Sequence, residues 1–227
     1  MKFEHRYDEN AYTISLEEAA KLKDSTVCVV GCGSVGAYAV EMLARLGVGS
    51  IVVADGGVFK ETDLNRQIYC DETNIGTSKV QRVRERIGRV NSEVHVVPVE
   101  EYISEENARD IIAGADVVIE ALNNMATRKM LANACYLEGV PMIHGAMAGW
   151  YAQVATIFPG DKSLDKIYPA QDQGSEHEFG NPAFTPALIA SLETIEAVKV
   201  LLHKGVSLKS KMLSIDLLLH EYEVFGV

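Results

Sequence analysis

Three glycines, Gly31, Gly33 and Gly36, have the spacing of a phosphate-binding turn. They come directly after the apolar, β-branched run Thr26–Val30 and directly before a stretch with helical periodicity, which is the context that the pattern requires. The first glycine allows a tight turn, the second lets the backbone approach a phosphate, and the third allows close packing of the helix. The turn, with Ser34 inside it, therefore predicts a nucleotide-binding site.

Charged residues further along the chain indicate which nucleotide this site binds. Asp55 ends the second apolar run, where a carboxylate accepts hydrogen bonds from a ribose. Arg66 and Lys79 follow in two polar segments, and each brings a cation to the same edge of the predicted sheet. A triphosphate needs cations on its β and γ groups more than the pyrophosphate of NAD does. The two cations therefore favour ATP over a dinucleotide.

The overall composition limits the classes of protein to which this chain can belong. Its 227 residues are 48% hydrophobic and 23% charged, which supplies a sizeable core and excludes a disordered or fibrous protein. The formal net charge of −11 disfavours non-specific binding to nucleic acid or to anionic membranes. The first residues lack the apolar stretch of a signal peptide, and no apolar run is long enough to span a bilayer, so we expect a cytoplasmic protein.

Four cysteines are scattered along the chain without a CxxC pair; they are Cys28, Cys32, Cys70 and Cys135. This arrangement is typical neither of a disulfide framework nor of a structural zinc site, so we expect free thiols and no zinc. Cys135 lies among apolar residues of a predicted helix and is interpreted as a packing residue. His144, at the end of a predicted strand, is not expected to be catalytic.

The elements that must position these residues alternate along the chain. Up to residue 145, short apolar runs are separated by stretches with helical periodicity, which predicts right-handed βαβ crossovers. Later strands follow one another around one long helix, which predicts an antiparallel extension. The predicted fold class is α/β, a Rossmann-like, doubly wound, mostly parallel sheet extended by antiparallel C-terminal strands, in one domain over 1–227. The predicted strands are 26–30, 50–54, 94–97, 116–121, 141–143, 150–158, 211–219 and 221–225, and the predicted helices are 15–23, 35–46, 78–90, 104–113, 126–138 and 186–203.

The sequence resembles the ThiF/MoeB/HesA adenylyltransferases, which are bacterial relatives of the ubiquitin-activating enzymes. The resemblance extends over nearly the whole chain, through the glycine turn, Asp55, Leu64–Gln67, Lys79, Thr127–Arg128 and the late helix. It implies that the protein uses ATP and Mg²⁺ to adenylate the C-terminal glycine of a ubiquitin-like sulfur carrier protein, with release of pyrophosphate. It also implies a homodimer, and it leaves open whether the sulfur goes to molybdopterin, thiamine or another product.

The resemblance also implies roles for individual residues. Because the carboxylate of the carrier attacks the α-phosphorus, the protein needs no nucleophile, and catalysis consists of positioning and charge stabilisation. The implied catalytic residues are Asp63, Asn65, Arg66 and Lys79, and the implied cofactor-binding residues are Gly31, Gly33, Ser34, Gly36, Asp55, Gln67 and Asn123.

Four positions depart from the pattern of the family. Asn123 stands where the family commonly has an aspartate that holds Mg²⁺, and Asp63 stands where it commonly has an asparagine. We therefore hypothesise that Asp63 takes over the metal, because carboxylates bind hard cations better than amides do. Gly57 stands where the family commonly has a second acidic residue, two positions after Asp55. The arginine that family members offer to the neighbouring subunit's ATP falls near Glu9, which leaves Arg6 as its substitute.

The segment between Pro159 and Pro186 is predicted to be a long loop, rich in Gly, Pro, Asp and Gln. Loops of this length in a compact domain are usually functional or disordered, and we expect this one to guide the carrier tail rather than to be a disordered surface loop. Because it contains no cysteine, its role would be geometric. Trp150 and Tyr151 could line the tail channel, but as the start of a strand they are predicted to belong to the core.

Three alternatives remain open from the sequence. A catalytically degenerate, nucleotide-binding member of the same family would explain Glu9, Gly57 and Asn123. A tRNA-modifying dehydratase of the same superfamily is disfavoured by the net charge of −11. An NAD-dependent oxidoreductase leaves Arg66 and Lys79 unexplained.

Overall fold

A computed structural model of the protein describes residues 5–169 and 179–227. Its strands are β1 (Thr26–Val30), β2 (Ser50–Ala54), β3 (His95–Val99), β4 (Val117–Glu120), β5 (Met142–Ala148), β6 (Tyr151–Ile157), β7 (Lys211–Asp216) and β8 (Glu221–Gly226). They form one sheet in the order β3-β2-β1-β4-β5-β6-β7-β8. The first five strands run parallel, and β6, β7 and β8 continue the sheet antiparallel. The predicted fold class is confirmed.

Helices cover both faces of this sheet. They are α1 (Leu16–Lys23), α2 (Ser34–Leu46), α3 (Lys79–Val90), α4 (Ala108–Ile112), α5 (Met125–Glu138), α6 (Ser163–Ile167) and α7 (Phe184–Leu202), with 3-10 turns at His5–Asn10 and Glu61–Asp63. The helices α1, α2, α3 and α7 enclose one apolar core, and α4, α5 and α6 enclose the other. The predicted capping box of α1 is confirmed, because the Ser15 hydroxyl accepts from the Glu18 N–H and the Glu18 carboxylate accepts from the Ser15 N–H.

The central strand β1 shows why the parallel strands could be predicted from the sequence. Val27 and Val29 point into the first core, while Cys28 and Val30 point into the second. A strand that is buried on both faces needs apolar residues at every position, so it forms a continuous apolar run. Such a run is recognisable without knowledge of its neighbours.

The structure corrects several predicted boundaries. Strand β5 extends to Ala148, well beyond the predicted end at residue 143, although Gly145 and Ala146 have low β-propensity. Pairing with β6 holds these small residues in the sheet along their whole length. The predicted loop contains the short helix α6, and α7 begins two residues early because Pro186 fits within a first helical turn. Residues 170–178 of that loop lie outside the described residues.

The aromatic pair that was predicted to belong to the core is not buried. Trp150 is 43% exposed and Tyr151 is 46% exposed, because they follow the tight turn that joins β5 to β6 at the edge of the sheet. The Trp150 ring packs on the ring of Phe184, with 4.6 Å between centroids. The prediction of a core position was therefore wrong for both residues.

The four cysteines are free thiols, and all except Cys70 are buried. Burial raises the pKa of the Cys135 thiol to about 12, so this residue stays protonated and unreactive at neutral pH. Within the described residues, no group of three or more His, Cys, Asp and Glu side chains is arranged to hold a metal ion. None of the described helices is both long and apolar enough to cross a membrane.

Candidate nucleotide-binding site

A cavity of about 650 Å³ opens at the carboxyl edge of the parallel strands. The loops that follow β1, β2, β3 and β4 form most of its wall, and the end of β5 closes one side. In doubly wound folds, ligands bind at this edge, because the strand order reverses there and the loops diverge. The strands β1 and β4 are the neighbours at which the order reverses in this sheet.

The glycine turn forms the floor of the cavity beside β1. Gly31 has a positive φ of 95°, and a Cβ there would collide with the carbonyl oxygen of Ala121. A Cβ on Gly36 would collide with the carbonyl oxygen of Gly31, so the turn and the first turn of α2 need glycine at both positions. At Gly33 the nearest atom to such a Cβ is Nε2 of Gln67 at 3.7 Å, which leaves the backbone open to a ligand.

Asp55 joins the glycine turn to the loop that follows β2. Its Oδ2 accepts from the N–H of Cys32 at 2.7 Å, and its Oδ1 accepts from the N–H of Gly57 at 2.7 Å. The carboxylate also lines the cavity. It is therefore held in one orientation at the position where the sequence predicts a contact with ribose.

Asp63 lies behind the cavity wall rather than in it, and its side chain is 8% exposed. Its Oδ2 accepts from the N–H of Lys60 at 3.0 Å, and its Oδ1 accepts from Nε2 of Gln67 at 2.7 Å. The guanidinium of Arg66 and the ammonium of Lys79 each lie 3.5 Å from one of its oxygens. The hypothesis that Asp63 binds Mg²⁺ does not fit these surroundings, because both oxygens are already engaged and two cations flank them.

Two further predicted residues occupy different surroundings. Gln67 lines the cavity, and its Oε1 has no hydrogen-bond partner within the described part of the chain. Asn65 lies outside the cavity wall: its Nδ2 donates to the carbonyl oxygen of Asn181 at 3.2 Å, and its Oδ1 accepts from Arg66 at 2.8 Å. Asn65 thus ties the segment before α7 to the loop that carries Arg66.

The loop after β4 contributes amides to the cavity. Asn123 lines the cavity and is exposed. The neighbouring Asn124 accepts from the N–H of Thr127 and so caps α5. Arg128 forms part of the floor, but its Nε lies 3.3 Å from a carboxylate oxygen of Glu120.

Most of the predicted site residues converge on the cavity. The residues that line it are Gly31, Gly33, Ser34, Asp55, Arg66, Gln67, Lys79 and Asn123, whereas Gly36, Asp63 and Asn65 act from outside its wall. Sequence reasoning missed Lys60 and Tyr102, which also line it. The signal for Lys60 was its place between Asp55 and Asp63 in the same polar loop; Tyr102 follows β3, where no motif marks it.

The N-terminal segment lies at the opposite edge of the sheet. Arg6 donates to Oδ1 of Asn91 at 2.6 Å, at the end of α3, and Tyr7 packs against Gly47 at the end of α2. Within one subunit, Arg6 is therefore far from the cavity. Its predicted contact with a neighbouring subunit's nucleotide stays a prediction.

A buried polar network lies beneath the far side of the cavity. Glu120 accepts from Nδ1 of His144 at 2.6 Å, and Nε2 of His144 lies 3.1 Å from the hydroxyl of Tyr168. Burial opposes ionisation of Glu120, but the charge of Arg128 and the hydrogen bond with His144 outweigh it and lower its pKa. His144 thus has a structural role that anchors the end of α6 to the sheet.

Glu193, on α7, is buried close to this network. Neither of its carboxyl oxygens has a hydrogen-bond partner in the described part of the structure. Burial raises its pKa well above the usual value, and the negative charge of Glu120 raises it further. Burial therefore favours the protonated form of Glu193, and its carboxyl group fills the space beside Gly145 that a side chain there would need.

The chain belongs to the ThiF family, whose profile matches residues 7–227. It is 34% identical over 205 residues to the SAMP-activating enzyme E1 of Haloferax volcanii, which covers 88% of this chain and 76% of that protein. It is 30% identical over 201 residues to the molybdopterin-synthase adenylyltransferase of Salmonella typhimurium, covering 86% of this chain and 80% of that protein. The resemblance inferred from the sequence is confirmed.

Solved structures share the fold. The structure of E. coli MccB with ATP superimposes with a TM-score of 0.81 at 20% identity, over 99% of this chain and 71% of that one. The structure of MccB with the peptide derivative MccA-N7isoASN gives a TM-score of 0.84 at 21% identity, over 100% of this chain and 72% of that one. At this level of identity, the likeness concerns the architecture.

Proposed function

We propose that this protein is an adenylyltransferase that uses ATP to activate the C-terminal glycine of a ubiquitin-like carrier protein. The observation that carries the proposal is the convergence of the glycine turn, Asp55 and the cations Arg66 and Lys79 on one cavity. A turn of backbone N–H groups at the start of a helix binds phosphate, and the two cations suit a triphosphate better than a dinucleotide. The names of the relatives support this class of reaction.

The proposed reaction requires no nucleophile from the protein. A carboxylate oxygen of the carrier attacks the α-phosphorus of ATP, a new O–P bond forms, and the bond to the β-phosphate breaks to release pyrophosphate. The developing charge lies on the β- and γ-phosphates, so cations at that end stabilise the transition state. Arg66 and Lys79 would serve there, while the glycine turn and Asp55 would hold the nucleotide in place for attack.

We also propose five further properties of this protein on the basis of its family. They are the sulfur-carrier identity of the substrate, a homodimer, a cytoplasmic location, one adenylation domain over 1–227, and guidance of the carrier tail by the loop between Pro159 and Pro186. The exposed rings of Trp150 and Phe184 lie beside the end of that loop, and they support an entry for a polypeptide on this side.

Exchange of labelled pyrophosphate into ATP tests the proposal. Candidate carriers that end in glycine should support exchange, and the same carriers with an amidated C-terminus should not, because they lack the attacking carboxylate. Binding of ATP without exchange on any carrier would favour the degenerate member of the family. Tighter binding of NAD than of ATP would overturn the assignment.

A further inference from the structure

We propose that this pocket neutralises the triphosphate with three of its own cations, Lys60, Arg66 and Lys79, and that no carboxylate among its described residues is available to a divalent metal. The inference rests on the proposed function, because it takes ATP as the ligand. Its consequence is that metal-free ATP, rather than its Mg²⁺ complex, is the form that the protein recognises.

The carboxylates near the cavity do not fit a Mg²⁺ site. Among the described residues that line it, Asp55 is the single carboxylate, and both of its oxygens accept backbone N–H bonds. Asp63 is turned away from the cavity and engaged by Lys60 and Gln67. Mg²⁺ requires near-octahedral oxygen ligands and usually takes one or two carboxylates from a protein. The described residues at the cavity offer no carboxylate with a free orientation toward the ligand, so they do not form such a site.

The amides at the cavity do not replace these carboxylates. Asn124 uses its side-chain oxygen to cap α5, which leaves Gln67, Asn123 and Asn181 as the amides of the described lining whose oxygens can face the ligand. A neutral amide is a weaker ligand for a hard cation than a carboxylate is. Asn123 is therefore suited to a hydrogen bond with the nucleotide and not to the retention of a metal.

The cations at the cavity outnumber the carboxylates that pair with them. Arg66 and Lys79 share the single carboxylate of Asp63, and their side chains remain 21% and 13% exposed at the cavity. Lys60 has no acidic partner within ion-pair distance among the residues that the structure describes. Its backbone N–H is held by Asp63, so one buried anchor orients the segment that carries Lys60 and Arg66.

This excess of positive charge attracts a free triphosphate and repels a divalent cation. Three cations attract the four negative charges of a free triphosphate, and only two of them, Arg66 and Lys79, share the buried carboxylate of Asp63. A divalent cation at the same place would meet repulsion from all three. The pocket thus achieves with Lys60 what a protein-bound metal would otherwise supply.

Titration calorimetry with ATP, in EDTA and in excess Mg²⁺, tests the inference. We expect ATP to bind more tightly in EDTA than in excess Mg²⁺, because nearly all ATP carries the metal in the second condition and the three cations oppose it. Binding in EDTA that is equal to or weaker than binding in Mg²⁺ would overturn the inference while leaving an ATP-dependent enzyme intact. Failure to bind ATP under either condition would overturn both the inference and the proposed function.

Variants at position 60 separate a specific cation from general charge. Lys60→Ala should weaken ATP binding in EDTA by about tenfold, as expected for a charge-assisted phosphate contact, and should affect AMP little. Lys60→Arg should restore most of the affinity. Lys166→Ala, which removes an exposed cation on α6, is the matched control and should leave the affinity unchanged. Equal losses in Lys60→Ala and the control would overturn the role of Lys60.

Substitution at position 123 provides an independent measurement. Asn123→Asp adds a carboxylate at the cavity, so it should weaken metal-free binding and make ATP affinity rise on addition of Mg²⁺. An unchanged ratio of the affinities in Mg²⁺ and in EDTA would contradict the charge balance proposed here.

Discussion

Two buried carboxylic acids, Asp63 in the loop after β2 and Glu193 on α7, have opposite surroundings. Asp63, beside the parallel strands, is surrounded by an N–H group, an amide and two cations. Glu193, beneath β5, has no hydrogen-bond partner for either oxygen within the described residues. The first acid is paired with two cations that line the cavity, whereas burial and the charge of Glu120 raise the pKa of the second. The comparison shows that the groups around a buried acid, rather than its burial alone, decide its role.

Glycine substitutions should give the largest difference in stability between the nucleotide-binding turn and the surroundings of Glu193. Gly36→Ala should destabilise the protein by about 3 kcal/mol, because the new Cβ meets the backbone oxygen of Gly31, which cannot move away. Gly145→Ala should cost less, since the new Cβ meets the side chains of Glu193 and Ile189 rather than backbone. Gly88→Ala, in open space on α3, is the control and should stabilise by about 0.5–1 kcal/mol. Urea unfolding measures all three, and a larger loss for Gly145→Ala than for Gly36→Ala would contradict this order.

Asp63→Asn should lower stability by about 1–2 kcal/mol, because Arg66 and Lys79 lose a shared anion that is largely shielded from water. It should also weaken ATP binding, because the two cations are no longer held in position. The ratio of ATP affinities in Mg²⁺ and in EDTA should not change. A variant of normal stability that has lost its response to Mg²⁺ would instead support the metal role.

Glu193→Gln should change the pH dependence of stability. Because the pKa of Glu193 is raised in the folded state, its contribution to stability is fully present below the usual glutamate range and is lost as the pH rises toward the folded pKa. The glutamine variant lacks this loss, so its melting temperature should exceed that of the parent by a margin that grows from pH 5 to pH 8. Glu72→Gln, at an exposed site, is the control. A constant margin would show that Glu193 does not titrate as proposed.

Trp150→Ala should have the smallest effect on the folded protein. The ring is 43% exposed, so we expect a loss of stability below about 1 kcal/mol and no change in ATP affinity. If a carrier enters on this side, its Michaelis constant in the exchange assay should rise. An unchanged constant would place the entry elsewhere and leave the antiparallel half without a role in recognition.

The sequence by itself determined the fold class and the core of the nucleotide site. Strands that are buried on both faces, such as β1, are continuous apolar runs, and helices such as α1 carry their own caps. The need for glycine at position 36 is equally local, because a Cβ there meets the Gly31 backbone of the same turn, whereas a Cβ at position 31 meets Ala121 from the loop after β4. Patterns of this kind depend on near neighbours along the chain or on burial alone, so they can be predicted from residue order.

Only the tertiary structure decided the roles of Asp63, Lys60 and Glu193. A carboxylate in a polar loop has the same sequence signature whether it binds a metal or pairs with cations, because its partners come from other turns of the chain. Asp63 meets Lys79 from α3, and Glu193 meets Gly145 from β5. The free energy of a buried charge depends on every group around it, and those groups are brought together by packing rather than by sequence proximity.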